Sequence, residues 1–166
     1  MSLLDAIGEK ALAGKRLDRE EGRWLLTQAP LLALGTAAND VRFARIAERV
    51  VTFIPLVYQL GTTRLVPRAT PPIDALRTIA VSRLLLDNFP HVEAYWVVLG
   101  EETASIALHF GASDVNGSLE DEKIMHMARA ETPAGLVREQ LFRMIRDAGK
   151  VPVERDALYN VLQVWN

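Results

Sequence analysis

Residues 91–127 read HVEAYWVVLGEETASIALHFGASDVNGSLEDEKIMHM, and the rest of the chain is organised around this stretch. An apolar run over 94–99 stops at Gly100 and predicts a strand, and a helical pattern then continues to Gly111. A short strand over 112–115 comes next and runs into a polar loop, 114–118. The order strand, helix, strand and loop is typical of a (β/α) barrel, whose functional groups follow the C-terminal ends of its strands.

The composition is that of an ordinary globular domain. The chain has 166 residues, of which 49% are hydrophobic and 24% are charged. It is shorter than the roughly 250 residues of a complete (β/α) barrel. The net charge is −2 and no basic cluster occurs, so we expect no nucleic-acid partner. No apolar run approaches the roughly 18 residues of a membrane span, and the N-terminus has no signal-peptide layout, so a cytoplasmic location is expected.

The pattern predicts a helix-rich α/β fold in a single domain, 1–166. An N-terminal helical cap over 1–49 precedes an α/β part over 50–118, and C-terminal helices follow over 119–166. The predicted parallel strands are 50–58, 92–99 and 112–115. The predicted helices cover 2–13, start at Asp18, Pro30 and Asp74, and cover 101–110, 136–148 and 154–164.

Metal and thiol chemistry find little support in the residues. The chain has no cysteine, which excludes disulfides, thiol nucleophiles, zinc–thiolate sites and cysteine-held iron–sulfur clusters. The three histidines, His91, His109 and His126, are not spaced as a metal pair on one helical turn, so no metal site is expected.

The polar loop carries the candidate binding groups. Asp114 and the acidic run Glu120-Asp121-Glu122 are candidates for a general base or for binding hydroxyls, and a solvated helix N-terminus explains the run equally well. His126 follows the loop, either as a ligand-binding group or as a capping or core histidine. Trp96, at the end of the predicted second strand, is either barrel packing or a stacking surface.

Two long ordered runs of the chain match a known family. The first begins DALRTIAVSRLLLDNFPHVEAYWVVLGEETASIALHFGASDVNGS at Asp74, and the tail ETPAGLVREQLFRMIRDAGKVPVERDALYNVL continues it. These runs resemble the aminofutalosine synthases, the radical S-adenosylmethionine (SAM) enzymes of the futalosine route to menaquinone. The resemblance implies a (β/α) barrel that adds a SAM-derived adenosyl radical to an enolpyruvyl-benzoate.

One part of the family pattern is missing. The family holds its [4Fe–4S] cluster on a Cys-x3-Cys-x2-Cys loop, and this chain has no cysteine. The resemblance jumps near residues 50–53 from an early to a late part of the family sequence, which indicates that about half of the barrel is absent at this join. The resemblance therefore implies that residues 50–118 are the remnant of the C-terminal half of a (β/α) barrel. We therefore expect no catalytic residue, no metal ligand and no cofactor in this chain, although the family uses the cluster and SAM.

The substrate side of the family pattern is still recognisable. Asp114, Gly117, Ser118 and Glu122 match its D-x-x-G-[ST]-x-x-x-E pattern, and His126 matches the His-Met pair that follows. By this resemblance the predicted substrate-binding residues are Arg68, Trp96, Asp114, Asn116, Ser118, Glu122 and His126. Val137 replaces a threonine that usually caps the next helix, a loss of about 1 kcal/mol.

Two classes of function stay open. The first is an aminofutalosine-synthase-like protein of menaquinone biosynthesis that is catalytically incompetent alone. The second is a non-catalytic truncated relative, either a binding or scaffold partner or an inert deletion product. Three parallel strands are too few to close a barrel, so self-association through an open sheet edge is also expected.

Overall fold

The computed structural model describes residues 2–44, 52–60, 66–87, 89–117, 123, 127, 132–133 and 135–166. Within these ranges, no helix is long and apolar enough to cross a bilayer. The described chain is a helix-rich α/β structure with two small sheets, which confirms the predicted fold class at this level.

The N-terminal third folds into three helices, as predicted. They are α1 (Leu3–Leu12), α2 (Arg19–Thr27) and α3 (Leu31–Ala44). Ser2 caps α1 and Asp18 caps α2, each in a reciprocal box with the acidic residue three positions later. These local signals explain why the starts of both helices were predicted correctly.

The central element of the fold is α4 (Pro72–Leu85), which packs against α1, α2 and α3. Its sequence is apolar on most faces, and the sequence analysis therefore predicts a buried helix. The structure confirms this, since its buried apolar side chains are Ala75, Leu76, Ile79, Ala80, Val81 and Leu84. Its proline at the first turn needs no amide partner there.

Among the described residues, parallel strand pairing covers only a few positions. Strand β1 (Thr52–Phe53) pairs with β2 (His91–Val92) in parallel, and Thr52 lies opposite His91. Glu93 then forms a single parallel bridge with Asp114. The predicted strands 50–58 and 112–115 are therefore much shorter than expected, although residues 50 and 51 lie outside the described ranges. Pro55 follows β1 closely and has no N–H for a ladder.

The predicted strand over 92–99 is wrong beyond its first residues. The chain turns instead into two short helices, α5 (Trp96–Leu99) and α6 (Glu101–Ala107). Trp96 and Val97 are completely buried, and the Gly100 N–H donates to the Trp96 carbonyl at 2.9 Å. A short run that is apolar at every position does not distinguish a buried strand from a buried helical turn.

The C-terminal region contains one predicted helix and one error. Helix α7 (Arg138–Asp147) lies within the predicted range 136–148, and Val137 stands at its N-cap without a side-chain acceptor. The predicted helix 154–164 is a hairpin of β3 (Val153–Arg155) and β4 (Val161–Val164). Leu158, Val161, Leu162 and Trp165 have helical spacing, but Tyr159 has a φ of 65°, which a helix does not allow.

Candidate functional site

The floor of the site is formed by the ends of the parallel segments. The Glu93 N–H donates to the Phe53 carbonyl at 2.9 Å, and the Ala94 N–H donates to the Asp114 carbonyl at 2.7 Å. Val92 and Ala94 are completely buried in the core. Because side chains alternate along a strand, His91 and Glu93 point to the opposite face, away from that core.

The β3–β4 hairpin lies over this polar face. Its turn is fixed by Asp156, whose carboxylate accepts hydrogen bonds from the Leu158 N–H at 2.8 Å and the Asn160 N–H at 2.9 Å. Hydrogen bonds from Asn160, first from its side chain and then from its backbone, lower the pKa of Asp156. The turn places the Tyr159 ring on the His91 ring, with centroids 4.6 Å apart and planes 23° from parallel.

Arg155 connects the hairpin to the strand ends. Its guanidinium forms an ion pair with Asp114, and both side chains are largely buried. One of its nitrogens lies 3.0 Å from Nδ1 and 3.1 Å from Nε2 of His91, so it rests against the imidazole ring and not along one lone pair. The same guanidinium lies 4.7 Å from the centroid of the Tyr159 ring. Three different contacts thus hold Arg155 in one place.

Glu93 is the most perturbed acid of the site. Its side chain belongs to a residue that is only 4% exposed, and its Oε1 has no hydrogen-bond partner among the described residues. The pKa of Glu93 is raised to about 7, mainly by burial and also by the nearby Asp114 carboxylate, while the Arg155 guanidinium opposes both effects. Glu93 is therefore divided between its acid and carboxylate forms near neutral pH.

The loop after the bridge folds back on itself. The Asn116 N–H donates to Asp114 Oδ1 at 3.0 Å, and Asn116 has a φ of 67°, a conformation that asparagine tolerates well. Asn116 Oδ1 in turn accepts from the Gly117 N–H at 2.8 Å. The Gly117 carbonyl lies 3.4 Å from Trp96 Nε1, which donates to it. The buried Trp96 therefore supports the loop from below.

A cavity of about 570 Å³ lies between the hairpin, the polar loop and α7. This volume is within the usual range for a small-molecule site. Its apolar wall includes Leu108, Leu141, Phe142 and Ile145, and Arg138, Lys150 and Arg155 contribute positive charge. Acidic groups of the strands and the hairpin also reach it, namely Glu93, Asp114, Glu154 and Asp156.

The structure brings together only part of the predicted binding set. Asp114 and Asn116 line the cavity, whereas Trp96 has no exposed surface and does not line it. Arg68 is exposed and does not line the cavity. Ser118, Glu122 and His126 lie outside the described residues. Their assignment to substrate binding stays a prediction.

Sequence reasoning missed four residues of the site: His91 as a site residue, Glu93, Arg155 and Tyr159. Glu93 had a local signal, because it is the one charged side chain in the run VEAYWVV. Arg155 and Tyr159 had no local signal, because the sequence pattern predicts a helix over the segment that carries them, 154–164. These two residues reach the site only because the β3–β4 hairpin packs over His91 and Asp114.

The residues present do not fit the cluster that the resemblance implies. A thiolate-held cluster needs cysteines, and the sequence has none. Within the described ranges, no group of three or more His, Asp or Glu side chains is arranged to hold a metal ion. We therefore derive no step through an iron–sulfur cluster.

Comparisons with known proteins agree on one family. An aminodeoxyfutalosine synthase of Thermus thermophilus is 46% identical over 121 residues, which is 70% of this chain and 32% of the relative. An aminodeoxyfutalosine synthase of Streptomyces coelicolor is 52% identical over 93 residues, 55% of this chain and 24% of the relative. A cyclic dehypoxanthine futalosine synthase of the same organism is 34% identical over 113 residues, 68% of this chain and 28% of the relative.

This chain thus spans between a quarter and a third of the length of these relatives. A family model described as the CofH/MqnC C-terminal region matches residues 47–166. The match begins next to the join that the sequence analysis placed near residues 50–53, and it includes the strand ends, the polar loop and the hairpin of the site. The chain belongs to the family of the CofH/MqnC C-terminal region.

Proposed function

We propose that this chain is the substrate-side portion of an aminofutalosine-synthase-type protein of menaquinone biosynthesis. In this proposal the parallel segments at 52–53, 91–93 and 114 are what remains of a (β/α) barrel. The chain binds an enolpyruvyl-benzoate type of molecule in the cytoplasm and does not perform radical chemistry alone. The observation that carries the proposal is the cavity, whose wall combines Asp114 and Asn116 of the family-like loop with basic side chains of α7 and the hairpin.

The chemistry of the cavity suits an aromatic carboxylate. Phe142 and Ile145 provide apolar surface for a ring, and Arg138 and Lys150 provide cations for a carboxylate. The Arg138 guanidinium lies 3.6 Å from Glu154, so a ligand carboxylate competes with an existing ion pair that is partly exposed. Moderate affinity is therefore expected.

Binding of an enolpyruvyl-benzoate, followed by isothermal titration calorimetry, tests this proposal. We expect Arg138→Gln to weaken binding by about fivefold, equivalent to about 1 kcal/mol, because it removes one partly exposed cation from the cavity. Arg143→Gln is the matched control, because Arg143 is exposed on the same helix and does not line the cavity. Absence of binding to the unmodified chain, or an equal effect of both variants, contradicts the proposal.

A second candidate, a binding or scaffold role, rests on the exposed outer strand of the hairpin. We propose that this strand mediates self-association. Every residue of β4 is exposed, including Val161 at 61%, Leu162 at 65% and Val164 at 49%. Among the described residues, β4 pairs only with β3, so its other edge is open to a further strand.

Sedimentation velocity tests this second candidate. We expect a concentration-dependent dimer, and we expect Leu162→Lys to shift it towards monomer, because a charge on an edge strand disfavours further pairing. Leu32→Lys is the control, because Leu32 is 79% exposed on α3, outside the hairpin. A monomer at all concentrations, or dissociation by both variants, contradicts a role for the hairpin edge.

A further inference from the structure

Glu93 is a buried carboxyl group, one of whose oxygens has no hydrogen-bond partner among the described residues. The residue is 4% exposed, and Oε1 is unpaired among the described residues. An unpaired polar atom in such a position destabilises the folded protein until it finds a hydrogen-bond partner. Glu93 forms a charged cluster with Asp114 and Arg155. The other two members have partners, since Asp114 pairs with Arg155 and also accepts from the Asn116 N–H. The unpaired oxygen belongs to a residue that forms part of the cavity wall.

The charge balance around Glu93 determines which form of the carboxyl is favoured. The Asp114 carboxylate and the Arg155 guanidinium neutralise each other. Ionised Glu93 therefore places an additional, poorly hydrated negative charge in the cluster, whereas protonated Glu93 leaves the cluster neutral. A protonated carboxyl is a hydrogen-bond donor and needs an acceptor. The ligand proposed above carries acceptor oxygens.

We propose that Glu93 is a specificity-determining residue of the cavity, and that in its protonated form it donates a hydrogen bond to a carbonyl or carboxylate oxygen of the ligand. This inference rests on the proposed function and adds to it. Oε1 is itself fully buried, so the ligand reaches it only when a neighbouring group moves aside. The bond that forms supplies the missing partner of the buried oxygen.

Several other titratable or charged groups face the same region. His91 reaches the cluster from β2, Asp114 from the neighbouring segment, and Arg155 and Tyr159 from the hairpin. Burial raises the pKa of Tyr159 above its ordinary value, so its hydroxyl stays protonated across the neutral range. The cavity wall also contains Arg138, Lys150, Glu154 and Asp156. A test must therefore separate Glu93 from these groups, His91 above all.

The test is the affinity for an enolpyruvyl-benzoate at about pH 6 and about pH 8.5, a range in which the carboxylates of the ligand stay ionised. The pKa of Glu93, raised to about 7, lies inside this range. We expect the unmodified chain to lose affinity by about tenfold or more towards the higher pH, as Glu93 loses its proton. Glu93→Gln has an amide donor at both pH values, so its affinity should stay close to that of the unmodified chain at low pH.

Two further variants complete the design. Glu93→Met has no donor and should bind weakly at both pH values, whereas His91→Gln should keep the pH dependence of the unmodified chain. Affinity that rises with pH, or that is the same for Glu93→Gln and the unmodified chain at both pH values, overturns the role of Glu93 and leaves the proposed function standing. Absence of binding by the unmodified chain at either pH overturns both.

Discussion

Replacing Arg83 by methionine is expected to lower the free energy of unfolding by about 3–5 kcal/mol, because one buried and two partly buried carbonyls lose their donor together. Arg83 is only 3% exposed on α4. Its guanidinium donates to the carbonyls of Gly111 and Phe89, each at 3.0 Å, and to the hydroxyl of Ser113 at 3.2 Å. Methionine fills much of the same volume and provides no donor, so the loss reflects these bonds more than packing.

The position of Arg83 also links the helical core to the candidate site. Ser113 Oγ accepts from the Val92 N–H at 3.3 Å, next to the strand end that carries Glu93. Gly111 has a φ of 93°, and a Cβ there would lie 2.9 Å from Arg83 Cβ, so the backbone approaches the arginine closely. Arg83 thus holds the turn before the Asp114 loop in place.

Urea denaturation of the unmodified chain and of Arg83→Met measures this loss of unfolding free energy. Arg16→Met is the matched control. Arg16 has a side chain that is 74% exposed and an ion pair of 3.5 Å with Asp87. Its replacement should change stability by less than about 1 kcal/mol. If Arg83→Met lowers the free energy of unfolding no more than Arg16→Met does, the hydrogen bonds of Arg83 do not stabilise the fold.

The second large effect concerns pH. Glu93→Gln is expected to stabilise the protein at about pH 8 by about 3 kcal/mol and to have little effect at about pH 4. The pKa of Glu93 is about 7 in the folded protein, against an ordinary value of 4.5. Between these values the folded state holds a proton that the unfolded state has released, so stability falls as pH rises through this window.

Below the ordinary pKa of 4.5, Glu93 is protonated in both the folded and the unfolded state, so its ionisation has no effect on stability. Above about pH 7 it is ionised in both states, and the full cost of burying the charge is present. Urea denaturation at intervals between about pH 4 and about pH 8 therefore measures a growing difference between the two proteins. Glu9→Gln on α1 is the control, because Glu9 is exposed. Parallel stability curves for the unmodified chain and Glu93→Gln contradict the buried, ionisable state of Glu93.

The helices and strands of this protein differ in how well the sequence alone predicts them. The helices α1, α2 and α4 begin within two residues of their predicted starts, because capping side chains, prolines and apolar spacing are local signals. The run at 94–99 was misassigned because full burial removes periodicity, and the C-terminal hairpin was misassigned because its apolar spacing imitates a helix. In the hairpin, the hydrogen bonds of Asp156 and the positive φ of Tyr159 override that spacing.

The amino-acid sequence was sufficient to identify the family, the helix-rich α/β class, the absence of cysteine ligands and the polar loop at Asp114 and Asn116. Tertiary structure alone decided the site around that loop. Arg155 lies 41 residues after Asp114 in the chain, yet their ion pair and the contacts of Arg155 with His91 join the hairpin to the strand ends. The physical reason is that burial and neighbouring charge set the state of Glu93, and both arise only when distant segments pack together.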